Sequence, residues 1–317
     1  MIIEDRVYGK IEVSSKIVLE LIQSKPLQRL KGIAQFGIPD EFYHLPNYTR
    51  YEHSIGVMLL LKKLGASEEE QIAGLLHDVS HTAFSHIIDW VIGDGKTEDY
   101  QDEHHGRYIT SSDIPSILRK HGYSVERIID YHYFGLLEQD LPDLCADRVD
   151  YSLREFPPDI VKVCVPALTT KDNKIVFTNE QIAMLFARNF LKLQTEHWGS
   201  FEAVSRYRLF ADALAQGLKE GDITEDDFWQ DDALVIKKIV VSKNKKLQAT
   251  LQTLRSKSLD HWPKSTTIVH KKFRFVDPLF MDGEILTRLS KANAKYAEEL
   301  EKARHVNQAG ITVPTVA

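Results

Sequence analysis

Seven of the thirteen histidines fall between His44 and His105, and three of these share one short run with two acids: His77-Asp78-Val79-Ser80-His81-Thr82-Ala83-Phe84-Ser85-His86-Ile87-Ile88-Asp89. Ionisable groups this dense are costly to bury unless they are paired or hold a metal. A solvated surface cluster is the competing reading, but Ile72, Leu75, Leu76 and Phe84 make the segment part of a core. His77 and His81 are spaced to share a face if their helix continues, and so are His86 and Asp89. Imidazoles with carboxylates suit a divalent transition metal better than calcium. Two ligands do not complete a site. His53, near the start of the Arg50-Tyr51-Glu52-His53 helix, is a third candidate, and either Asp147 or Asp150 supplies the carboxylate. Those two acids lie on one helix three residues apart, so spacing alone leaves both open.

The elements that must position these residues read as helices. Arg50 to Leu64 is one. A second opens on Ser67-Glu68-Glu69-Glu70, a capping-box pattern, and runs to Leu76. Ser15 to Gln35 holds one or two more, with Pro26 as a helix-opening proline. A further helix runs from Asp143 to about Glu155, where Pro157-Pro158 stops it. Gln181 to Lys219 is one long helix or a pair broken at Gly199-Ser200. Strand patterns are short: Ile11 to Val13, Lys174 to Phe177, Thr266 to Val269, and Lys272 to Val276. The expected fold is mainly α, with a helical core over residues 1–220 and a smaller α+β region, 221–317, packed on it. Disorder is expected after about Arg304.

Taken together, these residues resemble the HD-domain phosphohydrolases: Arg50-Tyr51-Glu52-His53, His77-Asp78-x-x-His81-x-x-x-x-His86-x-x-Asp89, and Asp147-Arg148-x-Asp150-Tyr151. Within that family the chain is similar to the deoxynucleoside triphosphate triphosphohydrolases. Asp5 to Glu12, Leu27 to Gly37 and Phe273 to Leu279 look like further family segments, while Asn179 to Lys264 matches loosely. The resemblance implies a divalent ion (Mn, Fe, Zn or Mg) held by His53, His77, Asp78 and Asp147. It implies His81 beside the scissile phosphate, with Asp89 and His104 completing an acid/base group. His86, Arg50 and Arg148 would hold phosphate oxygens, Tyr151 would border the sugar, and Gln35 would meet the 3′-hydroxyl. Glu103-His104-His105 departs from the family pattern and leaves His104 and His105 as alternatives. A tyrosine expected near Thr195-Glu196-His197 is missing. The implied reaction turns dNTPs into deoxynucleoside and triphosphate. The alternatives are an enzyme acting on nucleoside monophosphates or other phosphoesters, and a non-catalytic nucleotide sensor.

Composition narrows the partners. Forty Lys+Arg against forty-six Asp+Glu give a net charge of −6, so general affinity for nucleic acid is not expected and a nucleotide is the expected ligand. The resemblance also implies a homo-oligomer, a dimer or tetramer, with Gln28 and Lys31 where some relatives make nucleotide contacts. Cys145 and Cys164 are too few for a disulfide framework. The apolar run Val57 to Leu61 is far short of the ~20 residues a membrane span needs, and the N-terminus lacks the marks of a secretory signal. A cytoplasmic location follows as the expectation. Gly95-Lys96-Thr97 ends like a phosphate-binding loop, but Trp90 stands where that loop requires glycine.

Overall fold

The chain opens on an antiparallel hairpin, β1 (Ile2–Asp5) and β2 (Gly9–Glu12), with Ile3 opposite Ile11. Helices α1 (Lys16–Ile22) and α2 (Lys25–Arg29) follow, and Pro26 sits in the first turn of α2, where its missing N–H is no loss. The structure is a computed structural model describing residues 1–314 apart from Asp94, Lys96, Thr97 and Lys257. The Lys96-Thr97 pair of the phosphate-loop match therefore lies outside the described residues.

Helix α3 (Arg50–Lys63) begins at a reciprocal cap: Thr49 Oγ1 accepts from the Glu52 N–H, and the Glu52 carboxylate accepts from the Thr49 N–H. Every residue from His53 to Leu61 is buried, as expected of a helix surrounded by others. Helix α4 (Glu68–Leu76) packs along it. Only half of the cap expected at α4 forms. Ser67 accepts from the Glu70 N–H, but the Glu70 carboxylate turns inward and accepts from the N–H groups of Leu136 (2.7 Å) and Leu137 (3.1 Å). Glu70→Ala would strand both buried donors, so unfolding in urea should show a loss of about 1–3 kcal/mol. Glu70→Gln, which keeps an acceptor, should lose less.

Helices α5 (Tyr100–Thr110), α6 (Ile114–Lys120) and α7 (Val125–Ile129) lead to α8 (Ala146–Glu155). Helix α8 starts later than the expected Asp143 because Cys145 is extended, at φ −133° and ψ 163°. Pro157-Pro158 ends α8, and Pro158 then opens α9 (Pro158–Ala167). Strands β3 (Leu168–Lys171) and β4 (Lys174–Phe177) form a hairpin turned by Asp172 and Asn173, both at positive φ, which suits the twist of the strands. The expected broken helix is α10 (Glu180–Leu193) and α11 (Phe201–Glu220), separated by a wide turn over Gln194–Trp198. Helices α12 (Asp232–Ile239) and α13 (Lys245–Leu254) precede β5 (Lys264–Val269).

Lys272 to Val276 was expected as a strand and forms none. The Arg274 N–H goes to the Gln194 side chain and the Lys271 carbonyl to the Asn307 side chain, so no ladder is left to build. The extended segment His270–Pro278 is a strap. Strands β6 (Leu279–Asp282) and β7 (Ile285–Arg288) complete a four-stranded sheet of order β3-β4-β6-β7, in which β4 and β6 are parallel. After α14 (Leu289–Ala292), α15 (Ala294–Gln308) continues past Arg304, where disorder is expected, and β8 (Ile311–Pro314) pairs with β5. Tyr296, Leu300 and Ala303 give α15 the buried stripe that holds it down.

Two cores result. One surrounds α3 and α4 and takes in Val276, Phe280, Leu289 and Tyr296 from the C-terminal third. The other gathers Phe42, Phe84, Phe210, Phe228 and Ile239 around α11. Arg206 is fully buried in the second core, with its guanidinium donating to the carbonyls of Phe42, Leu254 and Ser256. Among the described residues no helix is long and apolar enough to cross a membrane.

Candidate metal centre and its cavity

The seam between α3, the end of α4 and the start of α8 gathers the candidate ligands. Helix α4 stops at Leu76, so His77 and His81 are not one helical face as the spacing suggested. The chain turns instead: the His81 N–H donates to the Asp78 carbonyl (3.0 Å), and His81 Nε2 comes to 3.2 Å from Asp78 Oδ1. His53 Nε2 lies 2.9 Å from Asp147 Oδ1 and 3.2 Å from His77 Nε2, and His77 Nε2 lies 3.5 Å from the same carboxylate oxygen. Asp78 offers Oδ1 at 3.4 Å from His77 and Oδ2 at 3.7 Å from His53. His53, His77 and Asp147 are spaced to hold a metal ion, with Asp78 beside them.

The outer ring nitrogens explain why these histidines point inward. His53 Nδ1 is 2.7 Å from Asp150 Oδ2, and His77 Nδ1 is 2.7 Å from the Gly74 carbonyl. Both acceptors fix the proton on Nδ1, which turns each Nε2 lone pair toward the shared centre. Asp150 therefore orients a ligand rather than facing the centre, a choice the sequence left open. It is held in turn by Arg154 (Nε to Oδ2, 2.7 Å), which also reaches Asp5 of β1 (2.8 Å). Two imidazole lone pairs facing each other among carboxylates repel unless a cation lies between them. That donor set, nitrogen and oxygen with oriented second partners, fits a divalent transition metal. The same field acts on protons. Burial would lower the His77 imidazole, but the Asp78 and Asp147 carboxylates outweigh it and push it up to about 9. His81 goes the other way: burial and the Arg50 guanidinium hold it well below its ordinary value, so it is neutral.

The group opens into a cavity of about 800 Å³, within the range of small-molecule sites. Gln35, Arg50, His77, Asp78, His81, His86, Asp147, Arg148 and Tyr151 all line it. Gln35 Oε1 is buried there without a hydrogen-bond partner among the described residues. Arg50 is partly engaged, donating to Asp78 Oδ2 (2.8 Å) and Ser85 Oγ (3.0 Å). Arg148 donates to the carbonyls of Asp143 and Gln139 at the rim.

Two sequence-assigned residues stand elsewhere. Asp89 does not reach His81. Its Oδ1 accepts from the Tyr100 N–H, and its Oδ2 is 3.6 Å from His86 Nδ1. His104 is not brought to the cavity either: its ring stacks on Tyr100 (centroids 4.2 Å) and its Nδ1 bonds the Tyr100 carbonyl. The register of α5 buries Gln101 and His105 in its place and leaves Asp102 exposed at the cavity's edge. Gln101 and Asp102 line the cavity, while His105 is tied between Ser80 and Tyr131 behind it. Residues the sequence reading missed include Asp102, Lys271, Lys272 and Arg274, and an aromatic wall of Phe36, Tyr43, Tyr48 and Trp198. Tyr207 also lines the cavity and supplies a tyrosine ten residues beyond His197, past where one was sought. Across that wall runs a relay in which His197 Nδ1 lies 2.5 Å from Glu155 and its Nε2 lies 2.8 Å from the Tyr43 hydroxyl.

The HD-domain signature matches residues 50–155, from the start of α3 to the end of α8. A metal-dependent phosphohydrolase of Cordyceps militaris, cns2, is 32% identical over 73% of this chain and 70% of its own. The chain belongs to the HD-domain metal-dependent phosphohydrolases. A divalent metal ion is accordingly its cofactor. The Bacillus subtilis protein YdhJ is 37% identical over 90% of both chains. A shorter match, 35% over 28% of this chain and 16% of the other, is to the human deoxynucleoside triphosphate triphosphohydrolase SAMHD1. Among solved structures, a hypothetical protein of Aquifex aeolicus has the same fold at a TM-score of 0.66, with 21% identity over 96% of this chain and 99% of that one.

Proposed function

We propose that this HD-domain phosphohydrolase cleaves deoxynucleoside triphosphates at the α-phosphorus, releasing deoxynucleoside and inorganic triphosphate. One observation carries the reading: His77, Asp78 and Asp147, three arginines and an aromatic wall line a single cavity of about 800 Å³, ample for a whole nucleotide. A phosphoester enzyme indifferent to the alcohol would not need that wall. The short match to a dNTP triphosphohydrolase points the same way.

In this reading His53, His77, Asp78 and Asp147 hold the ion. When bound, it supplies Lewis acidity toward phosphoryl oxygens and makes a nucleophile available from water at neutral pH. Arg50 and Arg148 stabilise charge as it gathers on the phosphoryl oxygens. Neutral His81 is suited to accept a proton rather than to give one. Asp102 lines the same cavity, its carboxyl raised by desolvation and by the nearby Asp78 and Asp147 against the pull of His86. His86 also lines it, with its Nδ1 3.6 Å from Asp89 Oδ2. Gln35 meets the sugar 3′-hydroxyl with its free Oε1, and the Tyr151 ring borders the 2′ position, where an added hydroxyl would clash.

The test is a nucleotide panel with Mn, Mg, Fe and Co, its products separated by chromatography. Deoxynucleoside with equimolar triphosphate is the expected result. Orthophosphate released from monophosphates, with dNTPs untouched, would overturn the reading while leaving the metal chemistry intact.

A further inference from the structure

The strap His270–Pro278 crosses the cavity as an extended segment, and three of its cations line the wall: Lys271, Lys272 and Arg274. Side chains from outside the strap fix its path. The Arg274 N–H donates to Gln194 Oε1 (3.0 Å), Asn307 Nδ2 donates to the Lys271 carbonyl (3.0 Å), and the Arg304 guanidinium lies 4.5 Å from the Phe275 ring centroid. Arg274 is paired, its Nη2 2.7 Å from Glu98 Oε2. Lys271 is not paired in this way. Its partly buried ammonium lies 3.1 Å from the Tyr207 ring centroid, and among the described residues no oxygen accepts a hydrogen bond from it. Burial without an acceptor pushes this amine down to about 7, against the pull of Glu98. Glu98 is taken up by Arg274, and Asp89 and Asp102 act on Lys271 and Lys272 only through space, so neither lysine has a carboxylate bound to it among the described residues.

The strap's neighbours tie it to the chemistry. Lys271 feels Glu98 and Asp89; Asp89 Oδ2 lies 3.6 Å from His86 Nδ1; and the His86 ring meets His81 at 4.9 Å. A line of cationic or hydrogen-bonding groups thus runs from Arg50 and His81 through His86 to Lys271.

We propose that Lys271, with Lys272 and Arg274, forms a subsite for the terminal phosphates of a polyphosphate chain whose first phosphate lies against the metal-ligand group. The inference rests on the dNTP reading for the identity of the substrate, but the subsite itself requires only a polyphosphate. It makes chain length, rather than the base, what the strap selects. Arg274, held by Glu98, positions the strap, and Lys271, whose Nζ has no oxygen partner among the described residues, meets the phosphate.

Calorimetric titration of the metal-loaded protein with inorganic tripolyphosphate, at constant free metal, tests this. Wild type should bind tripolyphosphate more tightly than orthophosphate. Lys271→Met should weaken tripolyphosphate by about tenfold or more, the scale of one charge-assisted contact to phosphate, and Lys271→Arg should restore it. Deoxynucleoside binding by each variant checks that the cavity is intact. Should Lys271→Met not fold, the exposed Lys272→Met takes its place with an expected loss of about threefold. Tripolyphosphate bound equally by wild type and variant, or no more tightly than orthophosphate, would overturn the proposal. If dNTPs yield no triphosphate but tripolyphosphate binding still depends on Lys271, the subsite stands and the dNTP reading falls.

Discussion

The double variant His77→Ala, Asp78→Ala is expected to lose metal and turnover together. Both side chains are at least nine-tenths buried and face the same centre as His53 and Asp147. Removing them takes away one nitrogen and one carboxylate from a donor set of four. Lewis-acid stabilisation is worth several kcal/mol of barrier, so hydrolysis should fall roughly 10³-fold or more. Elemental analysis should find substoichiometric metal in the variant under conditions that saturate wild type. Circular dichroism should show helices retained, because α3 and α4 are held by an apolar core that neither residue builds. A variant that keeps its metal, or turns over at the normal rate without it, would move the active centre elsewhere in the molecule.

The residues of this centre were legible in the sequence because their chemistry is local. His77-Asp78 ends a helix whose Ile72, Leu75 and Leu76 announce a core, and four charged or polar neighbours in such a place need a reason. What was not legible was orientation. Asp147 and Asp150 differ by less than one helical turn, and only the seating of α8 against α3 decides which faces His77 and which faces Arg154. The same holds on α5, where spacing could not say that His104 stacks on Tyr100 while Asp102 looks into the cavity. The strap was misread for a related reason. Phe273-Arg274-Phe275-Val276 alternates like a strand, but its backbone partners are the side chains of Gln194 and Asn307, far away in sequence. The C-terminal helix was underestimated because its buried stripe, Tyr296, Leu300 and Ala303, is sparse among charges.

The seating of α8 against α3 depends on a missing side chain, and this leads to the second large effect. Gly56 lies where α3 passes the Asp150–Arg154 pair, and an added Cβ would overlap Asp150 Oδ1 and Arg154 Nη2. Neither can retreat. Asp150 is bonded to His53, Arg154 to Asp5, and all four are buried or nearly so. Gly56→Ala must therefore break the pair or push α8 away, and breaking a buried ion pair costs about 3–5 kcal/mol. Because Asp150 sets the tautomer of His53, metal affinity should fall with stability. Asp150→Asn separates the two effects. It keeps the volume but weakens the grip on His53 Nδ1, for which a 10–100-fold loss of metal affinity is expected. Its pH profile carries a sign. The Asp150 carboxyl is buried, which raises it, yet Arg154 and His53 hold it below the usual aspartate range. Its contribution to stability is complete above the unfolded pKa of about 3.9 and is lost as pH falls through the lower folded value. Wild type should therefore lose stability on acidification through that window more steeply than Asp150→Asn. If Gly56→Ala instead melts like wild type with its metal in place, α3 and α8 are not seated as tightly as the Asp150–Arg154 contact requires.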